Sequence, residues 1–184
     1  MGNINVFSGP MKCGKSTRLI DEAKRQKIAG KNIKIFKPVI DDRFSENNII
    51  DRNGNSVEAL NIKNISDIEK YDADMYFIDE FQFLDGNIDT IQKMVSQGKK
   101  FYISGLNLTA ERKPFGKMGD LLCNADNIQM MTSICECCHN DNAIYSFCTA
   151  DKTGDILVGD NVYIPGCARC YEKLSIEKIN KGEA

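Results

Sequence analysis

The stretch Gly9-Pro10-Met11-Lys12-Cys13-Gly14-Lys15-Ser16 constrains this chain more than any other. It fits G-x-x-x-x-G-K-[ST], the pattern of a phosphate-binding loop. The residues before it, Asn3 to Ser8, alternate as a short strand does, and Ser16 to Ala29 reads as a helix. Two glycines let the backbone curl so that successive N–H groups face phosphate oxygens. The N-terminus of the following helix adds a partial positive charge at the same point. Lys15 is then expected to reach the β- and γ-phosphates of a nucleotide, and the Ser16 hydroxyl to ligate Mg²⁺.

Downstream, strand-like and helix-like segments alternate to about residue 130. Leu19, Ile20, Ala23 and Ile28 give a partly apolar helical face that Gly30 ends. Ile33 to Phe36 reads as a strand stopped by Pro38, and Val39 to Ser56 as irregular chain with a turn at Asn53-Gly54. Ile65 to Tyr71 suits a short helix. Met75 to Ile78 and Phe101 to Ser104 are continuous apolar runs of the kind found in buried parallel strands. Between them, Ile88, Ile91, Met94 and Val95 mark one helix face ended by Gly98. Alternation of this kind predicts an α/β fold, a parallel sheet flanked by helices.

From about Thr132 cysteines, glycines and short β-like runs dominate, and Tyr171 to Lys181 reads as a charged tail. The expected organisation is a nucleotide-binding domain over 1–132 and a small zinc-binding module over 133–184. A chain of 184 residues suits one medium domain with such an appendage.

Net charge is −2, without blocks of like charge, which argues against a nucleic-acid polymer as partner. No apolar run reaches membrane-spanning length. The chain enters its first strand without a signal peptide, so a cytoplasmic protein is expected.

Phe77-Ile78-Asp79-Glu80 ends a buried strand with two carboxylates. Beside a phosphate loop, an acid at a strand end holds Mg²⁺, and Asp79 is the metal-side candidate. Side chains alternate along a strand, so Glu80 points elsewhere and is free to act as general base on water or on a substrate hydroxyl.

The eight cysteines include two C-x-x-C pairs, Cys135/Cys138 and Cys167/Cys170, with 28 residues between them (139–166). Two such knuckles suit one tetrahedral Zn²⁺ held by four thiolates, a closed structural site. Cys137 and His139 are rival ligands that break the paired spacing. Cys13, Cys123, Cys137 and Cys148 are read as free thiols, and disulfides are not expected.

Taken in order, several segments together resemble the type II (cellular-type) thymidine kinases. They are Gly9-Pro10-Met11…Gly14-Lys15-Ser16-Thr17, Lys37-Pro38…Asp41-Asp42-Arg43-Phe44, Asp79-Glu80-Phe81-Gln82-Phe83, Gly105-Leu106…Pro114-Phe115-Gly116 and the two C-x-x-C pairs followed by Tyr171. The resemblance runs from Ile4 to about Tyr171. It implies transfer of the ATP γ-phosphoryl group to the 5′-hydroxyl of thymidine, with deoxyuridine as a possible second acceptor, in nucleotide salvage for DNA synthesis. It implies Glu80 as general base, and Gly9 to Thr17 with Arg43 at the ATP phosphates. Ser16, Asp79 and Asp41 fall in the Mg²⁺ neighbourhood. Met11, Phe83, Leu106, Leu157, Val158, Gly159 and Tyr163 line the thymidine pocket, the last four on a lasso-like loop over about 151–166. Cys135, Cys138, Cys167 and Cys170 correspond to the zinc ligands. A homotetramer and feedback inhibition by dTTP are further implications.

The chain departs from that family at Lys12 and Cys13, where an aromatic and a small residue are usual, and at Asn107 in place of a common Asp. Ala110 stands where Phe is common, which removes one face for stacking a base, and Leu108 is a candidate to fill the gap. Two rival readings are a P-loop ATPase or GTPase switch and a zinc-ribbon nucleic-acid-binding protein. Against the GTPase, the only near match to Asn-Lys-x-Asp is Asn180-Lys181-Gly182-Glu183, which fails at its last residue.

Overall fold

The computed structural model describes residues 1–41, 47–150 and 162–180. In chain order its elements are β1 (Asn3–Ser8), α1 (Lys15–Ile28), β2 (Ile33–Pro38), β3 (Asn48–Ile50), β4 (Ser56–Glu58), β5 (Leu60–Ile62) and β6 (Met75–Ile78). They continue with α2 (Asp89–Ser96), β7 (Lys100–Gly105), α3 (Met118–Cys123), β8 (Asn127–Met130), β9 (Tyr145–Cys148), β10 (Tyr163–Gly166) and α4 (Ala168–Asn180). Short 3₁₀ turns occupy Ile65–Lys70 and Phe81–Phe83.

Six strands form one sheet in the order β5-β2-β6-β7-β1-β8, and every pairing in it is parallel. The apolar runs have both faces to fill. Met75 and Phe77 pack with Leu19, Ile20 and Ala23 of α1 on one side. Tyr76 and Ile78, one residue out of phase, pack with Ile88, Ile91 and Met94 around α2 and with Met118 and Leu121 of α3 on the other. Stacked rings carry each layer across neighbouring strands, Phe77 on Tyr102 at 4.8 Å and Tyr76 on Phe101 at 5.1 Å.

β1 lies inside the sheet, between β7 and the edge strand β8. The connection from β1 runs past β7 and β6 to β2, whereas the one from β7 passes β1 in the opposite direction to reach β8. The loop after β1 opens at the carboxyl ends of the strands, where α/β sheets place their ligands.

Two segments differ from the sequence reading. The polar stretch before Ser56 holds an antiparallel hairpin, β3 with β4, because Ile49 and Val57 both bury against the α1 side of the sheet. Asn53-Gly54 is its turn, closed by Asp51, whose carboxylate accepts from the N–H groups of Asn53 and Asn55. The charged tail is a helix, α4. Its first turn puts the Tyr171 ring against Tyr145 and Phe147 of β9, at 5.1 and 5.6 Å. That apolar anchor explains why a polar segment is ordered. β9 and β10 form a separate antiparallel pair.

Candidate active site and metal centre

The phosphate loop owes its shape to backbone conformations that few residues adopt. Gly9 has φ 152°, and a Cβ there would stand 2.3 Å from the Met131 carbonyl oxygen. Gly14, at φ 85°, delivers the chain into α1, and Lys12 is also left-handed at φ 62°. Lys15 is buried. Its ammonium donates to the Pro10 carbonyl at 2.7 Å and lies 3.7 Å from the Cys13 sulfur, curled over the loop that it is expected to serve. Thr17 turns the other way. Its hydroxyl lies near buried Asp51 of the β3–β4 hairpin and helps to hold that carboxyl below its usual range.

Asp79 follows the last residue of β6 and is 2% exposed. Its carboxylate accepts from the Ser104 hydroxyl of β7, and the Ser16 hydroxyl of the loop lies near enough to favour its charged form. Burial and the adjacent Glu80 charge push its carboxyl up to about 6, against the pull of those two hydroxyls. Asp41 is buried at the end of β2 and adds negative charge to the same place. Ser16, Asp79 and Asp41 thus form a shielded oxygen-rich corner with more negative charge than it can hold unaided. This donor set suits a hard divalent cation.

Glu80 is also buried, and its carboxylate takes a different partner from that of Asp79, although its charge still bears on Asp79. The sequence reading ascribed this divergence to strand alternation, but the strand ends at Ile78. Glu80 sits instead at φ 49°, a left-handed conformation unusual for a side-chain-bearing residue, and a 3₁₀ turn follows it directly. In that turn Gln82 folds back to donate its amide to the Glu80 carboxylate at 2.5 Å.

Two of the residues expected to line a nucleoside pocket, Phe83 and Leu106, are at this turn. Phe83 is half-buried, edge-on to Phe115 at 5.4 Å, and Leu106 is half-buried with its N–H on Gln82. Met11 is buried, and Tyr163 is half-buried at the start of β10. The Ala110 carbonyl accepts from the Tyr171 hydroxyl, while Arg112 lies over the Tyr171 ring and pairs with Glu172. The loop after β7 is therefore held against α4. Arg43, Leu157, Val158 and Gly159 lie outside the described residues.

The structure brings Cys135, Cys138, Cys167 and Cys170 together, with all four sulfurs within 4.8 Å of one another. A Zn–S bond of about 2.3 Å places tetrahedral ligands about 3.8 Å apart. The Cys138 and Cys167 sulfurs are 3.8 Å apart. Burial opposes ionisation of Cys135. The N–H groups of Cys167, Cys138 and Cys137 more than offset it and bring its thiol down to about 6, as a metal thiolate requires. The neighbouring thiols of Cys138 and Cys167 push Cys170 the opposite way. His139 is exposed with φ 59°, and its N–H closes the knuckle on the Cys135 carbonyl at 2.8 Å. Its role there is a turn, as the paired spacing implied. Cys13 is half-buried, Cys123 and Cys137 are exposed and Cys148 is buried.

Four residues at these sites gave no clear signal in the sequence. Lys37 is 1% exposed and donates to the carbonyls of Asp41 at 2.6 Å and Asn48 at 3.2 Å, joining two separated stretches of chain. Ser104 and Ser146 are ordinary strand serines until the fold brings them to Asp79 and to the Met11 N–H. Gln82 lies inside a recognised motif, but only the turn geometry shows what it touches.

A parallel sheet, a glycine-rich loop entering a helix, a buried serine–aspartate pair and an offset glutamate define a phosphate-binding-loop α/β protein. The family model of "Thymidine kinase" matches residues 2–171. Among similar proteins, the thymidine kinase of Porphyromonas gingivalis is 34% identical over 178 residues, 95% of this chain and 87% of that protein. That of Bacteroides fragilis is 34% identical over 184 residues, 98% of this chain and 92% of its own length. That of Mycoplasma mobile is 35% identical over 182 residues, covering 97% and 91%. The chain belongs to the thymidine kinase family.

Proposed function

We propose that this protein is a thymidine kinase that transfers the γ-phosphoryl group of ATP to the 5′-hydroxyl of thymidine, giving dTMP. One observation carries the chemical part of this reading. Two adjacent carboxylates take different partners, Asp79 the Ser104 hydroxyl close to the loop serine Ser16, and Glu80 the amide of Gln82, which also holds Leu106. That division separates metal holding from proton acceptance, as phosphoryl transfer to an alcohol requires.

In this reading the N–H groups of Gly9 to Thr17 and the Lys15 ammonium cradle the triphosphate, with Arg43 adding positive charge. Ser16, Asp79 and Asp41 hold Mg²⁺, which when bound neutralises charge on the phosphate oxygens. Glu80 accepts the proton of the 5′-hydroxyl as the O–P bond forms. Met11, Phe83, Leu106, Leu157, Val158, Gly159 and Tyr163 seat the nucleoside. The cysteine quartet holds a structural Zn²⁺ that keeps β10 and the start of α4 in place. Use of deoxyuridine, inhibition by dTTP, assembly as a homotetramer, a cytoplasmic location and a place in nucleotide salvage belong to the same proposal. Among the described residues no helix is long and apolar enough to cross a membrane.

The test is ADP formation with Mg-ATP and thymidine, followed by identification of the nucleotide product. ADP release that depends on thymidine and stops when 5′-deoxythymidine replaces it supports the reading. ADP release at the same rate without nucleoside would favour an ATPase instead.

A further inference from the structure

We propose that Gln82 is the positioning residue for Glu80, resting on the reading of Glu80 as general base. The side-chain amide of Gln82 is 4% exposed and spans two partners. Its Oε1 accepts from the Leu106 N–H at 3.0 Å, and its Nε2 donates to Glu80 Oε2 at 2.5 Å. A main-chain N–H can only donate, so Leu106 fixes which end of the amide faces which neighbour. The NH₂ group must therefore point at the carboxylate and presents it with a donor. The donor occupies one carboxylate oxygen of Glu80 and so sets the direction of the other.

The amide is closely packed by its surroundings. Phe81 beside it is fully buried, and a Cβ at Gly105 would stand 2.7 Å from Gln82 Oε1. The 3₁₀ turn is closed by the Phe83 N–H on the Glu80 carbonyl at 3.1 Å, which holds residues 80 and 82 at a fixed separation. Leu106 begins the loop that follows β7 and is itself expected in the thymidine pocket. The bridge therefore joins the seat of the nucleoside to the group that must meet its hydroxyl. A change in the Leu106 backbone on substrate binding reaches Glu80 through a single side chain.

The experiment measures kcat and KM for Gln82→Met and Gln82→Glu, each alone and combined with Glu80→Gln. Methionine keeps the volume and loses both hydrogen bonds. Glutamate keeps the acceptor for Leu106 and sets an oxygen against Glu80. In the otherwise native protein, Gln82→Met is expected to lower kcat about 10–100-fold, the cost of a hydrogen bond to a charged group. KM for ATP and thymidine should stay within about threefold. Gln82→Glu should lower kcat further than Gln82→Met, although it preserves the Leu106 contact. Should the methionine variant not fold, the glutamate pair decides alone.

On the Glu80→Gln background each change should lower the residual rate less than about twofold, because the group being positioned is already gone. Losses of the same factor on both backgrounds would overturn the proposal, as would single variants with native kcat. Near-native turnover of Glu80→Gln by itself would instead remove the general-base reading on which the proposal rests.

Discussion

The N–H of Met11 donates to the Ser146 hydroxyl at 3.0 Å, so the phosphate loop is held by a residue 135 positions later in the chain. Two further contacts run alongside. The Ser133 hydroxyl donates to the Lys12 carbonyl at 3.1 Å, and the Lys12 ammonium pairs with Glu136, inside the first cysteine knuckle, at 2.6 Å. The ion pair is partly exposed and is worth little by itself. The two serine contacts hold the backbone whose N–H groups are proposed to face a triphosphate.

Ser146→Ala should therefore raise KM for ATP by about 3–10-fold, the effect of one lost hydrogen bond, with KM for thymidine nearly unchanged. Steady-state kinetics with each substrate varied in turn checks this. Lys12→Ala, which removes only the exposed pair, should change KM for ATP less than about twofold at physiological salt.

Metal removal is expected to act at a distance. Cys135, Cys138, Cys167 and Cys170 lie in the first knuckle and around the β10–α4 junction, and without a cation four crowded thiols replace four bonds. Chelation, or Cys167→Ser, should lower the melting temperature by at least about 5 °C. KM for ATP should rise in the same sample through the links from the knuckle to the loop. Calorimetry, metal analysis and kinetics on one preparation separate these effects.

Asp79 is predicted to serve Mg²⁺ binding at a cost to the stability of the fold. Burial and Glu80 raise its folded-state carboxyl to about 6, from an ordinary value of 3.8. A raised carboxyl costs stability at pH values above 6, and the cost fades as pH falls from about 6 toward 4 and the group takes up its proton. Asp79→Asn should stabilise the metal-free protein at pH 8 by on the order of 2 kcal/mol, keep little of that gain at pH 4.5, and lose Mg-dependent turnover. Thermal melts across pH with and without Mg²⁺ test the sign.

Tyr171→Phe deletes the hydroxyl that meets the Ala110 carbonyl but leaves the ring on Tyr145 and Phe147. It should cost about 1 kcal/mol of stability and raise KM for thymidine more than KM for ATP, because the freed segment is the loop after β7. Urea unfolding with parallel kinetics measures both.

Much of the fold was legible because it rests on local signals. Gly9 to Ser16 announced a strand–loop–helix, and the runs Met75–Ile78 and Phe101–Ser104 announced buried parallel strands. The cysteine spacing likewise anticipated the quartet that the fold assembles. What stayed hidden depends on long-range partners. The hairpin of β3 and β4 is three residues per strand and gains its burial only against α1. α4 carries mostly polar residues and is held by Tyr171, the Arg112–Glu172 pair and Cys170, all of them contacts with distant parts of the chain. Ser104, Ser146 and Lys37 act through contacts that no spacing in the sequence encodes. Glu80 was found as a residue, but its direction depends on a left-handed turn that follows from packing.

The most direct measurement is the turnover of Glu80→Gln beside its affinities for thymidine and for a non-hydrolysable ATP analogue. Loss of the proton acceptor should lower kcat about 10²–10⁴-fold while both affinities stay within about threefold of native. A kcat within about fivefold of native, with binding intact, would show that the hydroxyl proton leaves by another route and would contradict the role given to Glu80.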